Sequence, residues 1–339
     1  MCAKLHETRI IQLQPSSRIV IPRVFHFVFG LKKQREQFHL LYYLSLKSCL
    51  LINQPDRIYF YYHYLPYGHY WNLIRPHLTL IRVPLRTGIE SRYGRLSGER
   101  HYSYAHHADF IRVEQVLERG GVYADIDTLF LQPIPERLYK KDCVIGREDD
   151  VLCPIRQITR PSLCNAFFMA TRKAPFLQAW LDKMPEYFDG SWSNHSCYLP
   201  WELSQAHPDW IHVEPSSTFY PYMWTREALT ELFEGVSDRH RDACSLHLWN
   251  HLWWDRRRVD FSSFHQALIN EAQIRTHDTT FNRLARPFLP DAPPPSWQDS
   301  TAFRTRDALG WMTGLAGRCY HTCLRALARR MRGNLRHPQ

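Results

Sequence analysis

The alternation of apolar and polar positions divides the first third of the chain into short strands and helices. Ile19 to Phe29 is rich in Ile, Val and Phe and reads as a buried strand. Glu36 to Ile52 has helical spacing, with Leu40, Leu41, Leu44, Leu51 and Ile52 as its core face. Asp56 to Tyr62 reads as a second strand, Tyr67 to Arg75 as a short helix, and Leu78 to Val83 as a third strand that Pro84 ends. Arg86 to Gly98 carries three glycines and mixed charge, which predicts a loop, and loops of that length are often functional. Tyr104 to Arg119 is again helical, with Phe110, Ile111, Val113, Val116 and Leu117 on one side. Ala105, Asp109 and Arg112 share another face at i, i+4 and i, i+3 spacing.

Gly120 is placed to end that helix in a left-handed conformation. Gly121-Val-Tyr-Ala-Asp125-Ile-Asp127 then predicts a short strand running into two carboxylates. In extended backbone, residues two apart share a face, so Asp125 and Asp127 converge on one point. Two anionic oxygens at a loop suit a hard divalent cation that keeps waters and holds a diphosphate. A lone Asp-x-Asp is better explained by a solvated turn; the helix, double glycine and strand ahead of it change that balance.

Further along, Cys143 to Gly146 and Cys164 to Ala170 read as strands, and Ala174 to Met184 as a helix ended or bent by Pro185. Residues 187 to 225 are dense in Trp, Tyr, His and Pro and give no clear period. Glu227 to Phe233 predicts a short helix, and Cys244 to Trp249 a strand entering His-Leu-Trp. There is no internal repeat. Residues 1–17 form an N-terminal extension, 18–288 the α/β domain and 289–302 a proline-rich linker. Residues 303–339 are expected to form a basic amphipathic helix, with Leu309, Met312, Ala316, Cys319, Tyr320, Cys323 and Leu327 on one face.

Composition narrows the classes. A hydrophobic fraction of 44% over 339 residues supports a sizeable core and excludes disorder over most of the chain. Nine cysteines without a Cys-x-x-Cys pair are neither a disulfide framework nor a zinc knuckle. No apolar run has signal-peptide or membrane-span length, so the sequence reads as cytoplasmic. The net charge of +10 is concentrated in the tail, where eight arginines face one aspartate after residue 302, so no nucleic-acid surface is expected. That tail has two readings: peripheral contact with an anionic membrane near a lipid-linked acceptor, or packing on the catalytic domain or a second subunit.

Asp109, Arg112, Gly120, Gly121, Tyr123, Asp125 and Asp127, taken together, resemble family 32 glycosyltransferases, the group whose sugar-binding region carries Asp-x-Asp. The group includes yeast-type mannosyltransferases and α1,4-galactosyltransferases and is related to the clostridial glucosylating toxins. Ile21-Pro-Arg-Val-Phe-His26, Asn165-Ala-Phe-Phe-Met-Ala170, Phe219-Tyr-Pro221 and His247-Leu-Trp249-Asn250 resemble further family elements, in order. The likeness covers roughly residues 19–255. The Thr-Gly-Pro of many relatives is absent; the nearest stretch, Cys197 to Glu202, keeps only the proline.

The resemblance implies a GT-A-type α/β fold and a retaining, metal-dependent transfer of a hexose from a nucleotide sugar, UDP-hexose ahead of GDP-hexose. The acceptor is expected to be a glycan or lipid-linked precursor in cell-surface polysaccharide synthesis. Asp125 and Asp127 are expected to bind Mn²⁺ or Mg²⁺, with His247 as third ligand. Asp109, Arg112, Tyr123, Asn165, Trp249 and Asn250 are expected around the donor. An i, i+3 surface ion pair is the plain alternative for Asp109 and Arg112, and core packing is the alternative for His247. His106 and His107, about 100° apart on a helix, are packing or surface residues rather than chelators. His26 reads as a satisfied core histidine, and Asp238, His240 and Asp242 as a solvated loop. Animal and fungal relatives in the Golgi usually carry an N-terminal anchor, so the expected type is bacterial. Three rivals stay open: a toxin-like protein glycosyltransferase, a dehalogenase-type phosphatase suggested by Asp125-Ile-Asp-Thr128 but lacking its usual residue at Leu129, and a non-catalytic sugar-nucleotide binder.

Overall fold

The structure is a computed structural model that describes residues 20–89, 103–148, 161–254 and 264–291. The N-terminal extension, most of the proline-rich linker and the basic tail helix lie outside the described residues, as do residues 90–98 of the glycine-rich loop.

Seven strands make one sheet: β1 (Val24–Val28), β2 (Arg57–Tyr62), β3 (Thr79–Arg82), β4 (Gly121–Ala124), β6 (Cys143–Arg147), β7 (Leu163–Ala170) and β8 (His212–Glu214). Their order is β3-β2-β1-β4-β7-β6-β8. Strands β1 to β4 are parallel neighbours, β7 runs antiparallel between β4 and β6, and β8 is parallel to β6. Two short strands, β5 (Thr128–Phe130) and β9 (Ser245–His247), pair apart from it, antiparallel.

Alternation along each strand supplies two cores. Phe25, Phe27, Ile58, Phe60, Val122, Phe167 and Met169 face α1 (Leu40–Ser48) and its surroundings. Tyr61, Tyr123, Ile145, Phe168 and Ala170 face α3 (Ser103–Arg119) and α5 (Pro175–Tyr187). A sheet buried on both faces explains why its strands read as near-continuous apolar runs.

Several boundaries differ from expectation for local reasons. The first strand begins at Val24, because the Ile21 amide donates to the Tyr139 carbonyl instead (2.9 Å). The first helix begins at Leu40, capped by the His39 ring, which accepts from Leu41 N, and then widens into a π-helical turn, Cys49–Asn53. Pro185 lies inside α5 rather than ending it, and the last turn closes through Phe188 N to Met184 O at 2.9 Å. The aromatic stretch after residue 187 holds a π-helical turn, Asn194–Tyr198, then α6 (Leu199–Ala206), β8 and α7 (Ser216–Phe219). The expected strand over Cys244–Trp249 stops at His247, since Trp249 takes φ +52° and turns the chain.

Candidate active site

Helix α3 carries Asp109 and Arg112, both nearly inaccessible, into the space beside the carboxyl end of β4. The helix ends where expected, with Gly120 at φ +68° and its amide on the Val116 carbonyl (2.7 Å). Gly121 is more constrained still. At φ +110°, a Cβ there would sit 2.5 Å from the Val24 carbonyl oxygen of the neighbouring strand. The double glycine is therefore what lets a helix turn straight into a parallel strand against β1.

The two carboxylates converge, but not by strand alternation. Asp125 to Thr128 is a tight turn, closed by Thr128 N donating to Asp125 O at 3.0 Å. That turn leads into β5, which pairs with β9 so that Thr128 lies opposite His247. Leu248 N then donates to the Asp127 carbonyl (3.0 Å), and the left-handed Trp249 aims the Asn250 amide at Asp127 Oδ2 (2.9 Å). His247 Nε2 lies 3.2 Å from Asp127 Oδ1 and 3.6 Å from Asp125 Oδ2.

Arg112 joins the two halves of the site. Its guanidinium lies 3.3 Å from Asp109 Oδ1 and 3.2 Å from Asp125 Oδ1, donates to the Asn165 carbonyl at 2.9 Å, and rests 4.6 Å from the Tyr123 ring centre. The surface ion pair that spacing alone would allow is thus a buried bridge between two carboxylates. Tyr123 is buried beneath Asp125 and donates its hydroxyl to Oδ1 (2.5 Å). Asn165 Nδ2 donates to Asp109 Oδ1 at 2.7 Å.

His195, which no sequence signal singled out, completes the set with Nε2 3.0 Å from Asp109 Oδ2. It comes from the π-helical turn, 86 residues from its partner, in a stretch whose aromatics mask any periodicity.

Burial raises the Asp125 carboxyl above its usual range, only partly offset by Arg112 and His247. Burial acts the same way on Asp127, but His247 and the Asn250 amide outweigh it and hold that carboxyl low. Burial would lower the His247 imidazole; Asp127 and Asp125 outweigh it and raise it. The site thus places one imidazole against two carboxylates, with one ligand atom from each of the three within 4.8 Å of the others. Two oxygen donors and one nitrogen donor form a set that can hold a divalent cation. His247 Nδ1 is buried without a partner among the described residues, so the ring is held from the carboxylate side.

The other expected residues fall as follows. Trp249 is a buried wall of the site: its indole donates to Tyr222 O (2.9 Å) and its ring lies 4.2 Å from that of His247. Asn250 also reaches the Tyr42 hydroxyl (3.3 Å). His106 and His107 are buried packing residues, His106 against Phe188 and His195. His26 is a core histidine, bonded to Tyr61 and the Gly120 carbonyl, and burial lowers it to about 4. Asp238 is an exposed partner of Arg241.

Asp109, Arg112, Tyr123, Asp125, Asp127, Asn165, His247, Trp249 and Asn250 line a cavity of about 440 Å³, within the range of small-molecule sites. Among the described residues no helix is long and apolar enough to cross a membrane.

The chain matches the family described as glycosyltransferase sugar-binding region containing DXD motif over residues 89–148. It is 31% identical over 283 residues to the glucan organizing enzyme 1 of Cryptococcus neoformans var. grubii, covering 82% of this chain and 73% of that protein. That relative is fungal and gives the expected bacterial type no support. Among solved structures, the chain is similar to the galactosyltransferase LgtC in complex with donor and acceptor sugar analogues (13% identity, 81% of this chain, 99% of that one, TM-score 0.46). It is also similar to the PaToxG glycosyltransferase (16% identity, 56% of this chain, 71% of that one, TM-score 0.38). The glycine-hinged carboxylate turn beside β4 lies within the matched stretch, and the mixed sheet flanked by helices agrees with the α/β fold expected; the chain belongs to the Asp-x-Asp sugar-binding-region family of glycosyltransferases.

Proposed function

We propose that this glycosyltransferase moves a hexose from a nucleotide sugar, UDP-hexose ahead of GDP-hexose, to a hydroxyl of a glycan or lipid-linked acceptor. The carrying observation is the convergence of Asp125, Asp127 and His247 at a cavity that also holds Asp109 and Arg112. In this reading the three converging side chains would hold Mn²⁺ or Mg²⁺, which would supply Lewis-acid stabilisation of a diphosphate leaving group.

The chain's own residues do the rest. Arg112 and Tyr123 pin Asp125 Oδ1, leaving Oδ2 turned toward His247. Backbone amides fix Asp127, so neither carboxylate has to reorganise when the donor arrives. Asp109 is held by Asn165, Arg112 and His195 at the cavity wall, where an acceptor oxygen suits a donor-sugar hydroxyl. Family membership supports retention of configuration, with the departing diphosphate taking the acceptor proton on the same face, so no enzymic base is assigned. The name of the fungal relative, glucan organizing enzyme, supports a glucan within the polysaccharide reading.

The test is release of nucleoside diphosphate from a panel of UDP- and GDP-sugars with Mn²⁺, Mg²⁺ or chelator, for wild type and Asp127→Asn. Metal-dependent release from one donor is expected, reduced on the order of 100-fold in the variant, the scale on which losing one charge-stabilising contact acts. Release that survives both chelator and substitution would refute the assignment.

A further inference from the structure

Four carboxylates line the cavity, and three are committed: Asp109 to Arg112 and His195, Asp125 to Arg112 and Tyr123, Asp127 to His247 and the Asn250 amide. The fourth, Glu148, is not. It follows the last residue of β6, and the ladder with β7 extends to it through Glu148 N to Ser162 O (3.2 Å), so its backbone is fixed. Its Oε2 accepts from the Ser162 hydroxyl at 2.6 Å. Among the described residues no arginine or lysine pairs with it. A carboxylate turned into a cavity and held only by neutral donors, the Ser162 hydroxyl and the Cys164 thiol, is well suited to accept from a ligand hydroxyl.

A second observation lies on the same cavity. Of the large apolar side chains left exposed among the described residues, Trp192 is the one that lines it, at 37% exposure. It is stacked on His251 with ring centres 4.9 Å apart and planes at 28°. His251 belongs to α9 (Asn250–Trp253), the turn of helix whose first amide holds Asp127. An indole fixed in this way is a flat apolar platform connected to the metal corner. A pyranose presents hydroxyls at its edge and a C–H face above its ring, so a carboxylate together with an aromatic platform matches it in both respects.

We infer that Glu148 and Trp192 form the acceptor subsite of the cavity and that it takes a sugar, Glu148 accepting from a ring hydroxyl and Trp192 covering the C–H face. This rests on the proposed function in one respect, that the donor sugar occupies the Asp109–Asp127 side. Burial pushes the Glu148 carboxyl up against the opposing pull of Ser162, Cys164 and His247, and a further hydroxyl donor relieves that cost.

The experiment measures glycosyl transfer to methyl glucoside, galactoside and mannoside by wild type, Glu148→Gln and Trp192→Ala. Expected is a rise of at least about tenfold in glycoside KM in each variant, with donor KM within about twofold, because only one substrate loses a contact. Donor KM rising in step, or glycoside KM unmoved, overturns the subsite. Saturation-transfer NMR with the same glycosides reads binding without turnover: signal in wild type that falls in both variants supports the inference, and absent or unchanged signal overturns it. If wild type releases diphosphate from no donor, the donor reading fails alone, and the NMR arm still decides the subsite. Trp192 is partly exposed, so Trp192→Ala keeps the test valid if Glu148→Gln misfolds.

Discussion

Replacing Arg112 by methionine would remove the one cation among the described residues that faces both Asp109 and Asp125. Arg112 and Asp109 are buried and the Asp125 side chain is 23% exposed, so water replaces only a small part of the lost charge. Breaking a buried pair by removing one partner costs about 3–5 kcal/mol, because the remaining charge stays unpaired. Here two carboxylates are left, and the Asn165 carbonyl loses its donor as well. Part of the penalty is relieved by protonation, since Asp125 is already raised by burial and loses the group that opposes it most. The expected loss is therefore about 3–5 kcal/mol rather than twice that, a large share of a typical total stability of about 5–15 kcal/mol. For a domain of this size it corresponds to a Tm lower by on the order of 10 °C. The sign with pH follows from the raised Asp125 pKa. Ionisation opposes folding above that pKa, so the deficit of the variant should shrink as pH falls through it. Arg112→Lys should recover only part of the loss, because an ammonium cannot span two carboxylates and a carbonyl as the planar fork does. The assay is thermal unfolding of the three proteins at several pH values with chelator present. Arg112→Met within about 1 kcal/mol of wild type at neutral pH, below even the lower bound for a broken buried pair, would refute the bridge as the element holding the two carboxylates.

Other consequences are as direct. Gly121→Ala forces a Cβ against the Val24 carbonyl at a positive φ, and should cost upwards of about 2 kcal/mol in urea unfolding; a neutral result would mean the β1–β4 approach is looser than described. His195→Phe removes the donor to Asp109 Oδ2, and a loss of about 1–3 kcal/mol is expected from leaving a buried acceptor short of a partner; donor affinity measured by calorimetry should weaken with it, and unchanged affinity would confine His195 to packing. Glu214 is buried against Arg137, His212 and Thr218, which overcome the effect of burial and bring its carboxyl to about 2. A depressed pKa stabilises above the unfolded value near 4.5 and is lost as pH falls toward 2. Arg137 is more than half exposed and solvent screens it, so Glu214→Gln should cost about 1–2 kcal/mol at pH 7 and converge on wild type between pH 4.5 and 2; a constant difference across that window would show that the effect is steric.

Local order was legible in the chain wherever neighbours alone dictate it. The 3.6-residue period over Tyr104 to Arg119 became α3, Gly120 ended it left-handed, and the apolar runs around Phe25, Ile58 and Phe168 became strands buried on both faces. These depend on side-chain size, backbone freedom and alternation, all of which act within a few residues. The aromatic stretch after residue 187 gave no period, because side chains that pack in every direction do not mark a face; its π-helical turn and α6 are set by packing on α5.

What only the tertiary structure decided is how distant side chains meet. Extended backbone was expected to align Asp125 and Asp127, yet a turn does so, and the pairing of β5 with β9 brings in His247 from 120 residues away. The same holds for His195 on Asp109, and for the change of Arg112 from one member of an i, i+3 pair into a bridge between two carboxylates. Spacing along a chain determines which face a residue occupies. Whether that face becomes solvent, core or a charged site depends on which other segment closes over it, and that is settled by the free energy of the whole sheet and its two cores.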